Sequence, residues 1–377
     1  MKKNKKTIAF FNGFYIPHLG GVERYTSKVV EILKKKYNII IVTTNDNNYK
    51  SKEIIDDIKV YRLPVYSLCK NRYPFLHKNS KYKELLDDLN KEKIDYIICN
   101  TRYYQTSILG SKVSKDKKCP LYVIDHSSNH ISVGNKILDF FGSIYEHHLT
   151  KKIKRYNPKF YGVSKRCNKL LKHFDIKASG VFYNAIDDKV YNEFYHEVNN
   201  GDTIVLSYIG RIIKEKGVLN LLEAFSELRK KYSNIVLHIA GDGPLLEKIK
   251  NEYTDSHIHF LGKLNYEEVM NLCVKTDIFV HPSMYPEGLP TSILEAGVMK
   301  CAVVATDRGG TKEVINNSNV GLIVKENVED LVKKLDFLLS NYDEMNKLKE
   351  NIHNRIIHNF TWKQTAKAIE KELENER

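Results

Sequence analysis

The residues best suited to do chemistry lie in one run, HPSMYPEGLPTSILEA, from His281 to Ala296. Glu287 falls in a glycine–proline turn. Glu295 follows eight residues later, inside an apolar helical pattern. Carboxylates accept hydrogen bonds from sugar hydroxyls, and the amides at a helix start favour anions. Two acids beside such a start suit a ligand with hydroxyls at both ends and a diphosphate between them, as in a sugar nucleotide. Glu295 would take both ribose hydroxyls in bidentate fashion and Glu287 the hydroxyls of the sugar. Gly288 and Leu289 complete the turn, and Pro290 fits a first helical turn without penalty. Thr291 and Ser292 offer hydroxyls to a phosphate. The structural alternative makes Glu287 a turn acid and Glu295 a helix-surface residue.

A diphosphate leaving group needs positive charge. The segment GRIIKEKG, Gly210–Gly217, supplies Arg211 just after an apolar strand pattern and Lys216 beside a helix start. Two fixed cations there would neutralise charge as it builds on the departing group. Gly20 and Gly21, in PHLGGVERYT, precede another helix, where a missing side chain lets amides approach a phosphate. No G-x-G-x-x-G occurs, so this pair also reads as a tight turn. Gly241, in IAGDGP, and Gly262, in LGK, serve bends after strands, with any nucleotide contact secondary. His126 ends the run LYVIDH, where its imidazole would hydrogen-bond a transferred sugar or tune charge near the reacting carbon. A structural role for that histidine stays open. His18, His130, His147 and His148 form no metal-ligand spacing, and no Asp-x-Asp stands where a divalent ion would be needed. The expectation is a site without metal and without a cofactor beyond the donor substrate.

Elements that could position these groups alternate along the chain. Strand patterns begin at Thr7, Asn38, Ile94 and Pro120, with helical patterns over 23–36, 81–92 and 103–115. A polar stretch, YNEFYHEVNNGD, reads as an interdomain linker. The alternation restarts with strands from Thr203, Asn234, His257, Asp277 and Cys301. Helices over 217–231, 245–252, 266–274 and 291–299 lie between them. A last amphipathic helix follows Phe360, with Thr361 as cap and Trp362 as anchor. Such alternation predicts two doubly wound α/β domains with parallel sheets, and ligands beyond the strand carboxyl ends in a cleft between them.

Size and charge fit that picture. A chain of 377 residues suits two cores rather than one. Residues 1–190 hold 37 Lys and Arg against 18 Asp and Glu, a net +19, whereas the whole chain is +14. The first half should therefore attract anions, and an anionic membrane face fits better than nucleic acid, for which no reading module is present. A Lys-rich solvated surface is the plain alternative. No run reaches the length of a membrane span. The basic N-terminal tip reads as leading into a buried strand rather than as a signal peptide. The six cysteines show no paired spacing, so reduced, mostly buried thiols in a cytoplasmic protein are expected.

Taken together, these segments resemble the family 4 retaining glycosyltransferases of the GT-B fold, over nearly the whole chain. The likeness rests on HLGG from His18, the strand-end His126, YGVSK from Tyr161, NAID from Asn184 and GRxxxEKG from Gly210. It continues with AGDGP from Ala240, FLG from Phe260, DxFVxPS from Asp277, EGLPxxxLEA from Glu287, DRGGTKE from Asp307 and GLIV from Gly321.

The resemblance implies two Rossmann-like domains facing across a cleft. Residues 1–190 would bind acceptor and 200–355 would bind donor, with a helix over 356–377 returning to the N-terminal domain. It implies Arg211 and Lys216 on the donor pyrophosphate with amides around Gly21, Glu295 on ribose, Glu287 on the sugar and His126 near its 6-position. The donor would be a UDP-sugar, with a GDP-sugar as the alternative, and the acceptor a glycan or lipid-linked saccharide in surface polysaccharide, lipopolysaccharide or capsule synthesis. Peripheral contact with the inner membrane face is expected from the basic first half. Pro290 stands where many members have glycine, and Gly297 where methionine is usual. Two rival readings are a sugar-nucleotide epimerase on the same fold and a non-catalytic transferase-like subunit.

Overall fold

The computed structural model describes residues 5–18, 20–66, 74–130, 136–285 and 288–375. It divides into two compact units, Met1–Tyr183 with Thr365–Arg377, and Asn184–Gln364.

In the first unit the order is β1 (Thr7–Phe11), α1 (Gly21–Leu33), β2 (Asn38–Asn45), β3 (Lys52–Ile55), β4 (Ile58–Tyr66), β5 (Phe75–Leu76), α2 (Ser80–Lys91) and β6 (Tyr96–Asn100). Then come α3 (Gln105–Lys117), β7 (Leu121–Asp125), α4 (Lys136–Lys154), β8 (Lys159–Gly162), α5 (Lys165–His173) and β9 (Gly180–Val181). The sheet runs β3-β4-β2-β1-β6-β7-β8-β9, with β5 pairing β4. Its centre is parallel and covered on both faces, which is why β1, β6 and β7 are continuous buried apolar runs. β3 and β5 pair antiparallel with β4, so this sheet is mixed rather than wholly parallel. Short two-sided strands such as KEII carry too little periodicity to announce a hairpin.

The second unit begins with α6 (Val190–Phe194), so the stretch read as linker contains a short helix. β10 (Ile204–Ile209), α7 (Val218–Arg229), β11 (Ile235–Ala240), α8 (Leu246–Glu252), β12 (Ile258–Gly262), α9 (Tyr266–Val274) and β13 (Ile278–His281) follow. After them come α10 (Thr291–Val298), β14 (Ala302–Thr306), α11 (Thr311–Val314), β15 (Leu322–Val324), α12 (Val328–Ser340) and α13 (Tyr342–Asn359). Its sheet, β12-β11-β10-β13-β14-β15, is parallel throughout. Leu221, Leu222, Phe225 and Leu228 of α7 join the core beside Leu206 and Leu237. Each such buried side chain contributes about 1.5–3 kcal/mol.

Gly297 sits where α10 meets α13. A Cβ there would come within 2.6 Å of Ile356 and 2.8 Å of Ile352, so its small size answers to helix packing.

The last helix, α14 (Trp362–Glu374), starts behind Thr361, whose hydroxyl accepts from the Gln364 N–H at 3.4 Å. From Thr365 onward it packs on the first unit. Thr365 donates to the Tyr183 carbonyl at 2.8 Å, Glu370 pairs with Lys36 at 2.7 Å and Glu372 with Lys159 at 2.8 Å. Cys99, Cys167, Cys273 and Cys301 are free and buried, and Cys119 is partly buried; Cys69 lies outside the described residues.

Candidate functional site

At the carboxyl end of β10 the chain is tied to the end of β11. Gly210 N–H donates to Ala240 O at 3.0 Å and Ile212 N–H to Asp242 O at 2.9 Å, leaving the exposed Arg211 between two anchored residues. Gly241, at φ +141, makes this crossing sterically open: a Cβ would stand 1.8 Å from the Gly210 carbonyl oxygen. Its own N–H donates to Gly262 O at 2.7 Å. Gly262, at φ +68, faces open space. The two glycines read as bends thus differ, one fixed by close approach and the other by backbone conformation.

Lys216 closes the 3₁₀ turn Lys214–Lys216, ended by Gly217 at φ +72. A Cβ at Gly217 would lie 2.0 Å from the Pro282 carbonyl oxygen, so the turn sits directly against the segment leaving β13. Met284 N–H donates to Glu215 O at 2.8 Å across the same seam. The Lys216 ammonium stands 5.3 Å from the Tyr285 ring centroid, a cation–π distance. Adjacent parallel strands β10 and β13 therefore bring the basic loop to the segment that leads into α10.

That segment is backed from a third strand. A Cβ on Gly310, in the turn after β14, would meet Gly288 O at 2.5 Å and Leu289 at 2.9 Å. Leu289 is buried and anchors the turn. Pro290 stands one place earlier than expected, at the cap of α10 with an extended backbone, because the helix begins at Thr291. It offers no side-chain acceptor to the first-turn amides. Thr291 and Ser292 are half-buried in that turn, and Glu295 is half-buried one turn on. Arg211, Lys216, Gly241, Gly262, Gly288, Leu289 and Thr291 thus share one sheet edge, with Glu295 on the helix rising from it. Glu287 lies outside the described residues.

In the first unit His126 follows β7 directly. Its Nε2 is 3.1 Å from Asn100 Oδ1, while the Asn100 amide donates to Asn12 Oδ1 at 2.9 Å and Thr26 Oγ1 at 3.0 Å. Those two donations fix the amide, so Nε2 carries the proton and Nδ1 remains an acceptor. The Tyr25 ring meets the imidazole edge-on at 4.8 Å. Burial pushes the imidazole pKa down to about 4, against the opposing pull of Asp125. His126 is therefore a neutral hydrogen-bonding group at physiological pH. The pH–rate profile should carry no His126 inflection between about pH 6 and 8. An inflection there that His126→Gln removes would contradict this.

Asp125 is not open to a ligand in the same way. It pairs with the wholly buried Arg102, which also grips Glu146, and it accepts the Ser127 N–H at 2.8 Å. His130 reaches the other Glu146 oxygen at 2.9 Å. Gly20 caps α1 without a side-chain bond, and a Cβ there would strike the Glu23 carboxylate at 2.3 Å, whereas Gly21 opens on empty space. Burial raises the Glu23 carboxyl above its ordinary range, offset by its own backbone N–H. The start of α1 thus already holds an acid of its own. Among the described residues no three His, Cys, Asp or Glu side chains cluster as metal ligands.

Sequence reading passed over Asn12, Asn100, Arg102, Glu146, Glu23 and Gly310. The asparagines stand at strand ends, as Asp125 and His126 do, and that position was the available signal. Nothing in the spacing of residues 102, 125 and 146 announces their ion pairs.

A family model described as "Glycosyl transferases group 1" matches residues 192–355, within the second unit. The chain is similar to an uncharacterized glycosyltransferase of Methanocaldococcus jannaschii, 29% identical over 99% of this chain and 99% of that protein. It is 24% identical to the UDP-Gal:alpha-D-GlcNAc-diphosphoundecaprenol alpha-1,3-galactosyltransferase of Escherichia coli, covering 96% of this chain and 95% of the other. Anabaena HepE, solved in complex with UDP, has a similar fold: TM-score 0.74 at 16% identity, over 98% of this chain and 100% of that one.

Proposed function

We propose that this chain, a glycosyltransferase of the GT-B fold related to the group 1 glycosyl transferases, transfers a hexosyl or N-acetylhexosaminyl group with retention from a UDP-sugar to a glycan or lipid-linked saccharide. The observation that carries this reading is the seam at the carboxyl ends of β10 and β13. It holds side by side a basic loop and a helix start whose cap residue, Pro290, makes no side-chain cap hydrogen bond. Arg211 and Lys216 meet the diphosphate, the first-turn amides and Thr291 support it, and Glu295 takes the ribose hydroxyls. Glu287 is assigned to the sugar, and His126, in the first unit, is a neutral hydrogen-bonding group.

In the transfer the bond from anomeric carbon to diphosphate oxygen breaks and the acceptor hydroxyl oxygen bonds that carbon on the same face. Its proton passes to the departing phosphate oxygen, so no protein nucleophile is needed. Charge accumulates on the diphosphate as the bond lengthens, and two fixed cations lower that barrier. The diphosphoundecaprenol-linked acceptor of the Escherichia coli relative and the UDP bound to the Anabaena protein support a UDP donor, a lipid-borne acceptor and a role in surface polysaccharide synthesis. Such an acceptor favours a cytoplasmic protein at the inner membrane face. The epimerase reading loses Asp125, whose carboxylate is committed to Arg102.

A donor panel of UDP- and GDP-sugars, read by nucleotide release and by calorimetry, tests the reading. Binding and slow hydrolysis are expected for a UDP-sugar, and silence across the panel would refute it. Glu295→Ala should weaken UDP binding by about 10- to 100-fold, as the loss of charge-assisted hydrogen bonds implies. Unchanged affinity in a folded variant would remove Glu295 from the site.

A further inference from the structure

The first half of α4 shows a surface that the transfer chemistry does not use. Ile137, Leu138, Phe140, Phe141 and Ile144 are between 52% and 70% exposed. Ile137, Phe140, Phe141 and Ile144 recur at helical spacing and share one face. Soluble surfaces scatter such side chains singly, whereas a face built of them meets something apolar. The second half of the helix changes character: Glu146, Leu149, Thr150 and Ile153 are buried, so it is anchored in the unit.

Positive charge gathers around this face. Lys151, Lys152 and Lys154 are exposed on α4, and Lys165, Lys169 and Lys172 recur on α5. The two helices touch where His147 lies 5.2 Å from His173 and 4.7 Å from Phe174. Residues 147–177 hold ten Lys and Arg and one acid, Asp175. On the other side of α4 a cavity of about 280 Å³ is lined by Lys78, Lys112 and Lys152 beside Leu109 and Leu149.

We infer that α4 docks the protein on an anionic bilayer, with Phe140, Phe141 and Ile144 entering the headgroup boundary and the flanking lysines meeting lipid phosphates. The inference rests on the membrane-borne acceptor proposed above and assigns the surface that reaches it. Charge decides the occupant. A protein partner would need acids matched to every lysine, and a free saccharide has no use for five exposed apolar side chains. A bilayer carrying anionic lipid satisfies both at once, as amphipathic interfacial helices do. Among the described residues no helix is long and apolar enough to cross a membrane, so this contact lies along the surface.

The test is sedimentation of the full chain with vesicles of phosphatidylcholine containing about a third phosphatidylglycerol, against phosphatidylcholine alone. Binding should be at least about tenfold stronger on the anionic vesicles and fall as salt rises. Phe140→Ser with Phe141→Ser should lower partitioning by about tenfold or more. Lys151→Gln with Lys152→Gln should lower it and flatten the salt dependence. UDP affinity measured without vesicles should match the parent protein in both variants, which shows that they fold. Loss of UDP binding in the parent itself would refute the transferase reading and leave the vesicle result standing. Partitioning of the phenylalanine variant equal to that of the parent would overturn the inference. So would a parent dimer in solution that this variant renders monomeric, because the face would then belong to a second copy.

Discussion

Arg211→Ala and Lys216→Ala are each expected to slow transfer by about 10²- to 10³-fold, the effect of removing one preorganised donor to a developing anion. The two side chains reach their places by different means. Arg211 is pinned between Gly210 and Ile212, which are hydrogen-bonded to Ala240 at the end of β11 and to Asp242 just beyond it. Lys216 ends a turn that only a left-handed glycine can press against Pro282. Neither side chain carries core packing, so both variants should melt near the parent temperature. On the proposed role, in which the cations meet charge that builds as the donor bond breaks, kcat should fall more than UDP affinity does. Rapid-quench turnover beside calorimetric UDP titration reads the split. A variant that loses affinity in full proportion to rate would place its cation on ground-state binding instead.

Arg102→Met should lower stability by about 3–5 kcal/mol, the usual result of leaving buried charge without its partner. The guanidinium is wholly buried between Asp125 and Glu146, and its carbon lies 4.2 Å from the Phe174 ring centroid. Removing it takes the guanidinium from both buried carboxylates, leaving Glu146 its contact with His130 and Asp125 the Ser127 N–H. The triple change Arg102→Met, Asp125→Asn, Glu146→Gln removes the stranded charge along with the cation and should recover most of the loss. Chemical denaturation of the three proteins measures both steps. Equal stability of the parent and Arg102→Met would mean that the pair contributes nothing to folding. Since Asp125 immediately precedes His126, the single variant should also disturb the imidazole that the Asn100 network orients.

Most of the scaffold was legible from local pattern. Buried parallel strands such as NIIIVTT and LYVID are near-continuous apolar runs, and helices such as α7 and α9 carry their faces at helical spacing. The antiparallel strands β3 and β5 are not expected from sequence because KEII alternates weakly and Phe75–Leu76 is too short to show a period, and β4, β8, β15, α4, α5, α12 and α13 also stand where no element is expected. The helix inside the presumed linker is a single five-residue turn among polar residues. At the candidate site, residue types at strand ends were visible; the reason each glycine is a glycine was not. Gly217, Gly241 and Gly310 answer to carbonyl oxygens 65, 31 and 22 residues away in the chain, and no local window contains both members of such a pair.

By itself the sequence determined the alternation of strand and helix, the basic character of the first half, and the acids, cations and glycines offered at strand ends. These follow from periodicity and composition, which are local quantities. Only the tertiary structure decided which offered groups meet. Adjacency in a parallel sheet is set by strand order, and that order joins β10 to β13 across some seventy residues of intervening chain. The same long-range placement committed Asp125 to Arg102 and Glu146, and turned an apolar stretch at residues 137–144 outward where a core was the ordinary destination.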